Sequence, residues 1–224
     1  MSLLVLQGAV EQGFIYALVA LGLYISFRTL DIADLTTDGT FTLGAAVSAV
    51  FTVQGQPLLG VVLAFFCGAL AGFVTALLQT KLGVQPILAG IITMTALYSV
   101  NLMVMGKPNI NFFKEKTIFT AAEAMPGGFG SLLQAAAITA VLCVLLVLFL
   151  RTQLGLSLRA TGDNRDMVSA SSINPAFTTT VGLCLSNAVV ALSGALIAQY
   201  QKFADNTLGT GMVAVSYTHL TLPT

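Results

Sequence analysis

Long apolar runs separated by short polar islands make up most of this chain. Five stretches, near residues 8–27, 58–80, 86–106, 131–150 and 176–199, each approach or exceed the run of about 20 mostly apolar residues that a helix needs to cross a bilayer. A sixth, TFTLGAAVSAVFTV at 40–53, is too short to cross unaided. Short or interrupted apolar segments in transporters line cavities, because irregular backbone at membrane depth needs protein or water around it. A further apolar run begins at Leu208. The pattern predicts an all-α, polytopic transmembrane helical bundle of about six to seven spans.

Small residues recur at helix-packing spacing, as with Gly68 and Gly72 in CGALAG and Gly182 and Ser186 in GLCLSN. Such positions let helix backbones approach closely in lipid. The sequence also echoes itself: ALVAL at 17–21 is followed by Ala33, Asp34 and Thr36, and AVVAL at 188–192 is followed at the same offsets by Ala204, Asp205 and Thr207. In a sequence so rich in Ala, Val and Leu, coincidence and a true repeat both remain open. If the copies are related, the five spans between them make the repeat inverted, a common transporter architecture.

Composition narrows the class. Hydrophobic residues are 56% of the chain and charged residues 8%, against about 25% charged in soluble domains. Nine basic residues balance nine acidic ones, so no basic field exists to hold nucleic acid. Cys67, Cys143 and Cys184 each stand alone in an apolar run and read as small buried hydrophobes, with no disulfide or metal framework. The N-terminus lacks the basic first region and cleavage site of a removable signal. If the loop after residue 150 is cytoplasmic, Arg28, Lys81, Arg151, Arg159 and Arg165 lie inside and Lys107, Lys114, Lys116 and Lys202 outside. That bias is too small to orient the chain alone. The last residues, VSYTHLTLPT, carry the lone histidine, His219, and are spelled in one frame by GTC TCT TAT ACA CAT CTG ACG CTG CCG ACG, which resembles a transposon sequencing adapter. We therefore expect residues 1–214 to form the transmembrane domain and Val215–Thr224 to be a translated scar, a genuine tail being the alternative.

With so few charges, the polar islands carry the chemistry. In RTLDIADLTTDGTFTLG, Arg28 to Gly44, Asp38 and Gly39 suit a turn and Thr40 suits a helix cap. The island is either a solvated loop or a segment dipping toward a pathway, where carboxylates, hydroxyls and a half-helix N-terminus meet a polar solute. No EF-hand spacing is present and no structural metal is expected. In Arg151 to Phe177, Gly162 breaks the preceding segment, Asp163 or Asn164 caps a helix of about ten residues, and Asn174 with Pro175 starts the next span. That helix is either a surface connector or a docking knob for a soluble partner. The island from Met105 to Gly128 lies on the opposite side. Its Lys107, Lys114, Glu115 and Lys116 either contact a substrate-binding protein or are simply solvated, and Phe112 and Phe113 are expected at the interface or in a lateral contact.

RATGDNRDMVSASSIN followed by SNAVVALSGALIAQYQKFADNTLGTGM resembles the coupling region and next helix of permease subunits in branched-chain-amino-acid-type ABC importers. DIADLTTDGTFTLGAAVSAV and VQPILAGIITMTALYSVNLMVMGKPNI look like N-terminal and central parts of the same family, and most of residues 10–214 is covered in order. Within it, they look closest to a subgroup of amino-acid permeases sometimes linked to aromatic amino acids. The resemblance implies a cytoplasmic coupling helix formed by Arg159, Gly162, Asp163, Asn164, Arg165, Asp166 and Met167, with Ile173 and Asn174 at its far end, gripped by a separate ABC ATPase. It also implies an extracytoplasmic substrate-binding protein and a second permease subunit, in a homo- or heterodimer, within the cytoplasmic membrane. The family's chain continues beyond LGTGM with further spans, which here would mark a C-terminal truncation.

The chain has no GxxxxGK[ST] run, so ATP chemistry is expected in a separate subunit, and no nucleophile constellation, so the chain itself is expected to be neither an enzyme nor cofactor-dependent. Polar groups inside spans are costly and face the bundle interior. Glu11, Asn101, Asn187, Gln199 and Gln201 are the candidates, with Thr93 and Ser99 weaker and Glu11 read as an interfacial residue near a helix end. Asp34, Thr36, Thr37, Asp38, Asn101 and Asn187 are the expected substrate pathway. The absence of Trp favours amino acids or similar small polar solutes over stacked sugars. A secondary transporter or channel, and a scaffold without transport, are the alternatives.

Overall fold

The computed structural model describes residues 3–123 and 130–213. Val215–Thr224, the expected scar, lie outside the described residues. The helices are α1 (Leu3–Leu23), continued by a π-helical turn Tyr24–Thr29, α2 (Thr36–Val53), α3 (Pro57–Thr80), α4 (Pro86–Met105), α5 (Ile118–Glu123), α6 (Gly130–Leu150), α7 (Gln153–Asp163), α8 (Arg165–Ala170) and α9 (Pro175–Gln201). Two short strands, β1 (Asn109–Asn111) and β2 (Phe203–Asp205), pair antiparallel with Ile110 opposite Ala204. Among the described residues, α1 with its π turn, α3, α4, α6 and α9 are long and apolar enough to cross a membrane. The chain is a multi-pass membrane bundle.

Local signals account for the helix ends. Proline opens α3, α4 and α9, where its missing N–H has no partner to lose. Gly106 ends α4 in the left-handed conformation at φ 67°.

Helix α9 is the centre of the bundle: 78% of its spanning window is buried, against 11% for α6, which turns its apolar side chains outward. Around α9 the small residues serve the packing expected of them. A Cβ on Gly68 would meet Ala191 and the Asn187 carbonyl, and one on Gly72 the Leu183 carbonyl, so α3 lies on α9 almost backbone to backbone. Gly44 of α2 stands likewise against the Ala191 carbonyl. Ser186 Oγ donates to Gly22 O at 2.7 Å and Ser193 Oγ to Ile15 O at 2.7 Å, binding α1 to α9 antiparallel.

Those two bonds bear on the echo. In its register Ile15 matches Ser186 and Gly22 matches Ser193, so exchanging the copies carries one contact into the other. The resemblance continues past the helices. Asp31 and Lys202, at matching offsets, both have φ 55°. Asp34 Oδ1 accepts from Thr36 N at 2.9 Å and Asp205 Oδ1 from Thr207 N at 2.7 Å. Both bonds are donated by α9 serines to α1 carbonyls, so the correspondence is one of positions along the two helices.

Three expectations change. The first polar island is neither a solvated loop nor a turn followed by a cap at Thr40. After the π turn the chain folds back through buried Leu30, Ile32 and Asp34, and α2 starts at Thr36, so Asp38 and Gly39 are already helical and Thr40 is interior to the helix. Burial forbids solvating these backbone groups, and the helix forms earlier because Asp34 supplies an acceptor for its first N–H. The connector after residue 150 is two helices, not one of about ten residues. Gly162 does not break the segment but lies inside α7, where a Cβ would strike the Thr29 carbonyl, so it is a contact glycine. Asn164 caps the six-residue α8, accepting from Met167 N at 3.0 Å, and Asn174 caps α9 by accepting from Ala176 N at 3.0 Å. Phe112 is buried against Met105, Ile110, Ala198 and Ala204 beneath the strand pair, whereas Phe113 is exposed.

Candidate functional site

Two neighbouring arrangements collect the polar residues of the bundle. The first is a buried network where the chain breaks between α1 and α2. Asn187 Nδ2 donates to Asp34 Oδ2 at 2.7 Å and to Leu183 O at 3.0 Å, and its Oδ1 accepts from Thr40 Oγ1 at 2.8 Å. Thr36 Oγ1 lies 2.9 Å from Thr75 Oγ1, which in turn donates to Thr93 Oγ1 at 3.1 Å. Thr37 Oγ1 donates to Asp34 O at 3.1 Å. Asp34, Thr36, Thr40, Thr75 and Asn187 have no solvent exposure. The network fastens α2, α3, α4 and α9 around an irregular segment that hydrocarbon could not otherwise hold. Of the expected pathway residues, Asp34, Thr36, Thr37 and Asn187 fall here.

The second arrangement is a cavity of about 320 Å3 between α2, α4 and the turns after β2. Asp38, Gly39 and Thr42 come from α2, Met94, Thr95, Tyr98 and Asn101 from α4, and Asn206 and Thr210 from the turns. Asp38 accepts from Gly211 N and Val213 N, each at 2.9 Å, and so anchors the segment that forms the far wall. Thr42 Oγ1 donates to Asp38 O at 3.1 Å and accepts from Gly209 N at 3.0 Å. Asn101 Nδ2 donates to Gly39 O at 3.2 Å and Asn206 Nδ2 to Tyr98 O at 3.5 Å. Their amide oxygens are buried and have no hydrogen-bond partner.

Asp38 and Asn101 were legible as pathway candidates, and the structure brings them to one cavity while separating them from Asp34 and Asn187. Sequence reasoning missed Thr95, Tyr98, Asn206 and Thr210. The signal for the first two was present: Thr95, Tyr98 and Asn101 recur every three residues, a polar stripe down an apolar helix. Asn206 gave no comparable signal, because a turn residue joins α4 only through the tertiary fold.

The remaining candidates are structural in this arrangement. Glu11 is buried: it accepts from Gln7 Nε2 at 2.9 Å, Ser131 Oγ at 2.7 Å and Tyr200 OH at 2.8 Å, which ties α1 to α6 and α9. Gln199 Nε2 donates to Ser48 Oγ at 2.9 Å and Pro57 O at 2.8 Å. Gln201 is half-buried and Ser99 exposed. The three cysteines are free and half-buried rather than fully buried. Among the described residues no cluster of three His, Cys, Asp or Glu side chains forms a metal site.

The residues assigned to coupling lie together on one end of the bundle. Arg159, Asp163, Asn164, Arg165, Asp166, Met167 and Asn174 are exposed across α7, α8 and the start of α9, and Met167 is 69% exposed. Gly162 and Ile173 are half-buried beneath them. Val168 and Leu158 are buried and seat the two helices on the bundle. Lys107, Lys114, Glu115 and Lys116 are exposed at the other end, beside the strand pair.

A bundle of membrane-crossing helices with a buried irregular segment between α1 and α2, a cavity lined by polar side chains beside it and a solvated helical connector is the build of a membrane permease. The chain belongs to the family described as branched-chain amino acid transport system / permease component, which it matches over residues 5–221. It is 38% identical over 205 residues to a tyrosine transport system permease protein of Clostridioides difficile, covering 91% of this chain and 68% of that one. It is 35% identical over 211 residues to an uncharacterized protein of Rickettsia prowazekii, covering 94% of this chain and 74% of that one. No solved structure matches. Family and fold together make this a non-enzymatic transport subunit of the cytoplasmic membrane, of the amino-acid permease kind.

Proposed function

We propose that the chain is the permease subunit of an ATP-driven importer for amino acids or similar small polar solutes, coupled through residues 159–174 to a separate ATPase. The observation that carries the reading is the connector. In a chain that is 8% charged, Arg159, Asp163, Arg165 and Asp166 stand together with an exposed Met167 on two short capped helices that fold on the bundle through Leu158 and Val168. A charged surface with an apolar centre, seated on buried anchors, suits a soluble partner that moves it as one body. On this reading α7 and α8 are cytoplasmic, and the strand-pair end faces a substrate-binding protein. A second permease subunit completes the pathway. The relative named for tyrosine transport supports an amino acid as solute and makes tyrosine the first to test.

Gly162 is a poor test position, since any side chain there strikes Thr29. Asp163 and Met167 are exposed and serve better. In vesicles reconstituted with the cognate ATPase, the second permease subunit and the substrate-binding protein, wild type is expected to take up tyrosine only with ATP. Asp163→Arg with Met167→Asp is expected to lower uptake at least about tenfold, since losing a buried contact at an interface centre costs 2 kcal/mol or more, with insertion unchanged. ATP-independent uptake that survives both substitutions would favour the secondary-transporter reading instead.

A further inference from the structure

We propose that the cavity between α2, α4 and the turns after β2 is a subsite for the ammonium group of the transported solute, an inference that rests on the importer reading for its solute and on geometry for its chemistry. Four buried side-chain polar atoms among the described residues have no hydrogen-bond partner, and two of them, Asn101 Oδ1 and Asn206 Oδ1, belong to residues of this one cavity. Their identity as oxygens follows from the other end of each amide, which donates to a main-chain carbonyl. Both residues are more than nine-tenths buried. Asp38 lines the same cavity, and its carboxylate accepts two backbone N–H groups and has lone pairs to spare.

Asp38 and the two amide oxygens leave acceptor capacity in the wall of this cavity, while the Tyr98 and Thr210 hydroxyls can turn as donor or acceptor. Thr95 Oγ1 spends its proton on its own helix, at Ile91 O and Ile92 O. No Lys or Arg lines the wall. A buried acceptor without a donor is costly, and a carboxylate beside two unpaired amide oxygens makes the cavity favour a cation that donates several hydrogen bonds. A primary ammonium group does both, while a carboxylate would face the Asp38 carboxylate with no Lys or Arg to offset it. Met94 and Tyr98 supply apolar and aromatic surface beside it, and a tyrosine ring adds attraction for a cation. The carboxylate of a zwitterion would then have to be bound elsewhere, beyond this wall.

The test uses a matched pair of probes that share a side chain, phenethylamine and 3-phenylpropionate, titrated by calorimetry into the full chain in lipid nanodiscs without ATP or partners. Phenethylamine is expected to bind and 3-phenylpropionate not to. Asn101→Leu is expected to weaken the amine about tenfold, one lost charge-assisted bond being worth about that. Because that change also removes a bond to Gly39, Thr95→Lys serves as the second variant: Thr95 is exposed and bonded only to its own helix, and the new ammonium competes for the acceptors. Equal binding of acid and amine, amine binding that both variants leave unchanged, or no binding of either probe would overturn the subsite. The importer reading stands or falls separately on ATP-driven uptake, so amine binding without such uptake would sink that reading and leave the subsite in place.

Discussion

Asp34 and Asn187 show how a costly residue becomes a structural one. Alone, each would be a polar group buried at membrane depth; together, Asn187 Nδ2 meets Asp34 Oδ2 at 2.7 Å while the other carboxylate oxygen holds Thr36 N. Removing either strands the other's hydrogen-bonding atom, at about 1–3 kcal/mol each. Asp34→Leu and Asn187→Leu are each expected to lower the melting temperature in detergent. Combined, they are expected to fall short of the sum of the single losses by more than about 0.5 kcal/mol, the coupling of residues in contact. Strict additivity in that double-mutant cycle would show that the pair does not act as a unit. At this scale the residue types were legible and their division was not. All six pathway candidates are polar groups in apolar surroundings, but only Asp38 and Asn101 reach the cavity; Asp34 lies in the segment before α2, and its bond to Asn187 turns both into the buried network instead.

At the scale of elements, apolar length located the spans to within a few residues, because lipid thickness sets helix length directly. It could not place the start of α2, whose first turn, Thr36 to Gly39, carries two threonines and an aspartate and reads as loop by composition. The tertiary contacts of Asp34, Thr36 and Thr40 override that propensity. Nor could composition separate α7 from α8, since Gly162 looks like a breaker until Thr29 is seen against it. The contact of α2 with α9 depends on two glycines, Gly44 beside the Ala191 carbonyl and Gly194 beside the Phe41 carbonyl. Gly44→Leu is expected to force these helices apart and to destabilise the bundle by about 1–3 kcal/mol or more, the usual cost of overpacking. Thermal unfolding in detergent reads the effect, and a melting temperature equal to wild type would contradict the close approach.

For the molecule as a whole, the two ends differ in kind. One carries α7 and α8 with their exposed charges; the other carries the β1–β2 pair, with Phe113 and the lysines of the third island. With the three native cysteines replaced, Asp163→Cys and Phe113→Cys in sealed vesicles are expected to react with an impermeant maleimide from opposite sides. Labelling of both from one side would mean that the bundle does not separate these ends across the membrane. The five-to-four distribution of Lys and Arg could not settle this orientation, because a bias of one charge is small against the rule it would invoke.

Read as a line of residues, the chain already shows a membrane bundle, roughly where its helices run, which small residues let them touch, and membership of the branched-chain amino acid permeases. Apolar length, small-residue spacing and short matching blocks are all local, and local signals survive being read along a line. Packing alone makes Asn206, from a turn near the end of the described chain, share a cavity with Asn101 on α4, and lets Asp34 close a network with Asn187. These are meetings between distant segments, decided by how α2, α4 and α9 pack, and no composition or period along the chain encodes which side chains a packed interior will place face to face.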